Sequence, residues 1–241
     1  MKVVALFKWS RNPVDGRVSM DGNVDWGGAK LSASEDDPAV MEVARAIGDE
    51  IVALTIGDGD VSWAAARGAV RTVVIEEAAT ELNSLATGAV LAAGIRSIGD
   101  ADVVLIGDSS WDYGVVAALM GKLGWLSVAG VTAAEPTDGG LQVTRKIQGA
   151  AELLEVGLPV VLGVLGTQDE KVKPGMKDIL ASRKKPVDRL SLADLAPDPV
   201  APAESRGTRF PDAPAARIID GTDPVAATEE LLAALRADGV L

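Results

Sequence analysis

Four short β-branched runs, KVVALF (2–7), EIVALTI (50–56), RTVVIE (71–76) and ADVVLIG (101–107), alternate with helical patterns through the first 130 residues. Each run is apolar without interruption, the pattern of a strand covered on both faces. Between them, DPAVMEVARAIG (37–48) places Val40, Met41, Ala44 and Ile47 on one face, with Asp37 as N-cap and Pro38 at the first helical position. LNSLATGAVLAAGIRSIG (82–99) reads as an Ala-rich buried helix, and YGVVAALMGKLG (113–124) as a third. Strand–helix alternation of this kind specifies an α/β fold with a doubly wound, mainly parallel, Rossmann-like sheet.

Three segments depart from the alternation. RVSMDGNVDW (17–26) reads as a hairpin with its turn at Asp21-Gly22. LQVTRKIQGAAELLEV (141–156) reads as a second, turning near Gln148-Gly149 and followed by a buried strand in LPVVLGVLG (158–166). From Ala196 to Ala215 the chain carries five prolines and no periodicity, the composition of an extended arm. A final helix follows, with Asp223 as N-cap, Pro224 at its first position, Gly239 as its stop, and Val225, Leu231, Leu232 and Leu235 on its apolar face. The expected division is an α/β domain over 1–195 and an arm with a terminal helix over 196–241, the helix packing on its own domain or on another chain.

Composition narrows the chemistry. The 241 residues, 48% of them hydrophobic, can bury a substantial core. A net charge of −12 opposes nucleic-acid binding, which needs a basic face. The chain contains no cysteine and no histidine, which removes thiolate nucleophiles, Cys/His zinc sites and every imidazole-dependent triad. Carboxylates and lysines remain as acids or bases, but the commonest proton carrier is missing. The apolar run near the start is too short for a secretory core, and no stretch approaches the roughly 20 apolar residues of a membrane span. A cytoplasmic protein without membrane insertion is expected.

The turn GDSSWDYG (107–114) follows a strand and opens a helix. Gly107 allows a tight bend, and Ser109, Ser110 and free N–H groups at the helix start suit a phosphate; a polar βα-loop of no chemical consequence fits the same letters. Asp108 and Asp112 would repel an anion. Gly57-Asp58-Gly59-Asp60 ends another strand and reads as a ligand approach or as a turn with a helix cap. The acids of SEDDP (34–38) suit a helix dipole better than a metal site. Six of the 23 basic residues fall in the 15 positions from Lys171 to Lys185, as a solvated surface or as a patch for an acidic partner, with Met176 among them as an apolar anchor.

The segment VTRKIQGAAELLEVGLPVVLGV (143–164) resembles the beta subunit of electron transfer flavoproteins. That family shows an Arg-x-Ile-x-Gly hairpin, a Glu three residues on, then Leu-Pro before an apolar strand, here Arg145, Ile147, Gly149, Glu152, Leu158 and Pro159. VDWGGAKLS (24–32), ALTIG (53–57), RGAVR (67–71), ILASRKKP (179–186) and ARIIDG with the terminal helix (216–241) align in the same order. The resemblance implies an adenine-nucleotide-binding type of fold and a heterodimer whose alpha-type subunit holds most of the FAD site. For this chain it implies AMP, a second FAD or an empty crevice, with contacts at Leu6, Ser34, Asp36, Asp37, Ile56, Gly107, Ser109, Ser110, Asp112 and Gly114. It implies that the region 167–186 docks a flavin-dependent dehydrogenase through Met176, Lys171, Lys173 and Lys177, with no catalytic residue and no metal in this chain. The sequence departs from the family in a phosphate loop about three residues shorter, in Ser34-Glu35 where the family has Asn-Pro, and in QDEKVKPG (168–175) where it has Asn-Glu-Pro-Arg. A stand-alone adenine-nucleotide sensor on the same fold is the alternative. An adenylate-processing enzyme would need a P-loop-like signature, which the sequence lacks.

Overall fold

A computed structural model describes residues 1–57, 59–78, 83–108, 113–166, 173–201 and 216–241. In chain order its strands are β1 (Lys2–Leu6), β2 (Trp9–Arg11), β3 (Arg17–Val18), β4 (Val24–Asp25), β5 (Leu31–Ala33), β6 (Glu50–Ile56), β7 (Arg71–Glu76), β8 (Val103–Gly107), β9 (Leu126–Thr137), β10 (Gly140–Ile147), β11 (Ala150–Val156), β12 (Val160–Val164) and β13 (Val187–Ser191). The helices are α1 (Asp37–Ile47), α2 (Ser62–Ala65), α3 (Ser84–Ile98), α4 (Tyr113–Leu123), α5 (Met176–Ser182), α6 (Leu192–Leu195) and α7 (Pro224–Ala237). Two compact units result, Met1–Arg17 with Val24–Arg206, and Val18–Asn23 with Gly207–Leu241.

The first unit is built on a nine-stranded sheet of order β11-β10-β9-β12-β8-β1-β6-β7-β13. Strands β9, β12, β8, β1, β6, β7 and β13 run parallel, and β9, β10 and β11 form an antiparallel extension. This is the doubly wound α/β arrangement that the alternation specifies. Successive residues of a strand point to opposite faces, and both faces are covered here. Val3, Ala5, Ile51, Ala53, Val103 and Leu105 pack under α1, whereas Val4, Val52, Leu54, Val104 and Val161 pack under α3 and α4. That is why the strands read as unbroken apolar runs. Where α3 crosses α4, Gly88 has no side chain because a Cβ there would lie 2.5 Å from the Ala118 Cβ.

Both expected hairpins form. Gly22 adopts a φ of +83° in the first, between β3 and β4. In the second, Gln148 and Gly149 both take positive φ, as a two-residue hairpin turn requires. Two strands of the large sheet, like the short pair β2 and β5, have no clear counterpart in the sequence pattern. Strand β9 contains Gly130, two adjacent alanines and Pro136, all poor strand formers, and is held extended by partners on both sides. Strand β13 lies within a charged stretch and closes the far edge against β7. The N-cap assignment also shifts: α1 starts at Asp37, and Asp36 before it makes no capping bond. Both carboxylates are drawn to neighbouring loops instead.

In the second unit the Asp223 side chain caps α7 by accepting from Val225 N at 3.0 Å, Pro224 opens the helix, and Gly239 follows it at φ +70°. The Arg217–Glu230 ion pair, 3.1 Å, ties the incoming segment to the helix. No residue of α7 is buried, and Val225, Leu231 and Leu232 are exposed apolar side chains.

Candidate functional site

In a doubly wound sheet, ligands sit at the carboxyl ends of the strands, where neighbouring strands send their connections to opposite faces. Here that point lies between β1, which leads to α1 on one face, and β8, which leads to α4 on the other. The segment Ser34–Asp37 stands over it. A Cβ at Gly107 would sit 3.0 Å from the Asp36 Cβ and 3.5 Å from Asp37 Oδ1, so any side chain there would press on the crest.

The carboxylates of this crest hold the loops together. Asp37 Oδ2 accepts from Lys8 N (3.0 Å), just past β1, and from Ser34 N (2.8 Å). Asp36 Oδ1 accepts from Gly166 N (2.6 Å), just past β12. Asp108 Oδ2 accepts from Gly130 N (2.7 Å) on β9. Asp36 and Asp37 are only 4% and 2% exposed. Burial pushes the Asp37 carboxyl up to about 7, against the pull of its two N–H donors, and neighbouring Asp36 adds to the rise.

Beside the crest lies a groove of about 350 Å³, lined by Trp9, Ser10, Asn12, Ser32, Glu35 and Trp63 among others. Its tryptophans are fixed by close packing. Trp9 lies over Gly59, where a Cβ would come within 2.7 Å of its ring, and Trp63 stacks on Phe7 at 5.6 Å. The Arg67 guanidinium covers Trp63 at 4.1 Å from the ring centroid. The chemistry of this lining, flat rings with hydroxyl, amide and carboxylate groups, suits an uncharged planar ring bearing hydroxyls.

The residues expected to contact a nucleotide do not all meet. Ser34, Asp36, Asp37 and Gly107 come together on the crest. The side chains of Leu6 and Ile56 pack into the core under α3 and α4. Gly114 faces Ser84 at the start of α3, where a Cβ would lie 2.7 Å from the serine. Ser109, Ser110, Asp112 and the Asp58 turn position lie outside the described residues. The N–H groups of Lys8, Ser34 and Gly166 are already taken by the carboxylates of Asp37 and Asp36, so these donors are engaged within the crest. Among the described residues no group of three or more acids is placed to hold a metal ion.

Within the basic run, Met176–Ser182 form helix α5, with Lys177 on it and Lys173, Arg183, Lys184 and Lys185 flanking it. Met176 opens α5 at 72% exposure, with Leu180 one turn on at 55%. Lys173 and Lys177 are exposed beside them, while Lys171 lies outside the described residues. Sequence reading missed the Trp9–Trp63 groove and the loop-tying role of the acids. The available signals were two tryptophans close to strand ends and a third acid, Asp108, after β8.

The model of the electron transfer flavoprotein domain matches residues 29–195, which is more than half of the chain. The chain belongs to the electron transfer flavoprotein family. The match takes in α1 and every strand of the large sheet except β1, and it ends before the arm. Among the described residues of this electron transfer flavoprotein, no helix is long and apolar enough to cross a membrane.

Proposed function

We propose that this chain is the beta-type subunit of a heterodimeric electron transfer flavoprotein, passing electrons from a flavin-dependent dehydrogenase to an acceptor. The observation that carries the reading is α7: a capped, well-formed helix with exposed Val225, Leu231 and Leu232 and no buried residue, in a chain of this family. Apolar helix faces are stabilised by burial, so a partner surface is the natural place for this one. The flavin supplies the electron chemistry, held mostly by an alpha-type subunit, and this chain contributes scaffold and docking. The absence of histidine and cysteine agrees with that division, since flavin electron transfer needs the cofactor held and tuned.

Docking of the dehydrogenase falls to α5 and the lysines of the basic run around it, supported by the exposed pair Met176 and Leu180 among cations on an acidic protein. A second reading, a stand-alone adenosine-type sensor, is favoured by the groove between Trp9 and Trp63 alone. Co-expression with an alpha-type subunit separates the two. Deleting residues 196–241 should abolish co-purification while circular dichroism shows the α/β domain still folded. Undiminished pairing by the truncated chain contradicts the role given to α7.

A further inference from the structure

Among the described cations of the basic run, one does not face solvent. Lys173, Lys177, Arg183 and Lys184 are exposed. Lys185 is half-buried, and its Nζ donates to the carbonyl oxygens of Ala65 (2.8 Å) and Ala69 (2.7 Å). These carbonyls belong to the turn that ends α2, which passes through Gly68 at φ +122°. An ammonium seated on two carbonyl oxygens forms charge-assisted hydrogen bonds, stronger than those of a neutral donor.

The surrounding chain is fixed on both sides of this lysine. Ser182 is 3% exposed, and its hydroxyl donates to Ile179 O at 2.8 Å, closing the last turn of α5. Lys185 N donates to Ser182 O at 3.1 Å. One residue later Thr72 N donates to Pro186 O at 3.0 Å, and Val187 enters β13 opposite Thr72. Helix α5 is therefore held at its C-terminal end, next to α2, while Met176 and Lys177 at its other end are exposed.

We infer that Lys185 is a positioning residue for the docking helix: clamped on the Ala65 and Ala69 carbonyls, it sets how α5 presents Met176, Lys177 and Leu180. This rests on the docking role proposed for α5. The cations that steer a partner are then the exposed ones, and Lys185 acts through geometry.

Three measurements on the full chain test this. Under native acylation with N-hydroxysuccinimidyl acetate, read residue by residue by mass spectrometry, Lys185 should react at least about tenfold more slowly than Lys173, Lys177 and Lys184, because its donors are engaged. Hydrogen exchange over residues 176–182 should accelerate severalfold in Lys185→Met, remain near wild type in Lys185→Arg, and be unchanged in Lys177→Met. Lys185 labelling as fast as its neighbours, or exchange unaltered in Lys185→Met, overturns the inference. Reduction of the heterodimer by an acyl-CoA dehydrogenase carrying its reduced flavin should slow severalfold in Lys185→Met with the salt dependence of wild type, whereas Lys177→Met should weaken that dependence. An effect of Lys177→Met without one of Lys185→Met defeats this inference alone. No effect of either, or no reduction of the wild-type pair, defeats the docking role instead, and labelling and exchange then decide the clamp.

Discussion

Asp37 shows how one side chain can be read correctly by type and wrongly by role. As an acid before a proline it has the letters of a helix cap, yet its carboxylate bonds Lys8 N and Ser34 N across the crest. Burial holds its carboxyl near 7 when folded, far above its ordinary 3.8. Between about pH 4 and 7 the folded chain keeps a proton that the unfolded chain has released, so this group's contribution to stability falls as pH rises. Asp37→Asn keeps an acceptor oxygen and removes the charge. Urea unfolding should find the variant close to wild type near pH 4 and more stable at pH 8. The gain should reach up to a few kcal/mol, since each tenfold difference in proton affinity between the two states is worth about 1.4 kcal/mol. A variant that follows the wild-type pH dependence throughout would show that Asp37 ionises freely in the fold. Gly107 and Gly88 illustrate the complementary limit. Nothing in the letters tells that a neighbouring segment crowds these positions, because the approach is made by Asp36 and Ala118, far away in sequence.

At the level of elements, the parallel strands and their helices were legible because burial on both faces leaves an uninterrupted apolar signature in 2–7, 50–56, 71–76 and 101–107. Both hairpin turns were legible from Asp21-Gly22 and Gln148-Gly149, whose backbone needs are local. Strand β9 was not, since Gly130 and Pro136 oppose a strand and only its two neighbours enforce one. The same reason hid Lys185, whose partners lie more than 100 residues earlier. Packing between elements gives two expectations. Gly88→Val drives a side chain into Ala118 where α3 crosses α4, and should cost about 1–3 kcal/mol in denaturant unfolding. In the basic run, reversing Lys171, Lys173 and Lys177 to Glu should slow association with the dehydrogenase and flatten its salt dependence, while Met176→Ala on α5 should mainly speed dissociation, by about 1–2 kcal/mol if fully buried on docking. Stopped-flow flavin reduction separates the two; identical rates in both variants would make α5 a plain solvated surface.

For the whole molecule, the family follows from a match across residues 29–195, and the fold from a sheet buried on both faces. The role within the family rests on what the chain leaves uncovered: the apolar side of α7 and the exposed Met176 and Leu180 of α5. The proposed subunit role accounts for exposed apolar side chains on both helices of an acidic chain without histidine or cysteine. Native mass spectrometry of the full chain co-expressed with an alpha-type subunit, read together with its visible absorption, tests this most directly. The account predicts one copy of each chain in a single particle that carries flavin. A monomer of this chain beside a flavin-loaded alpha-type subunit, with no mixed species at micromolar concentration, would contradict it.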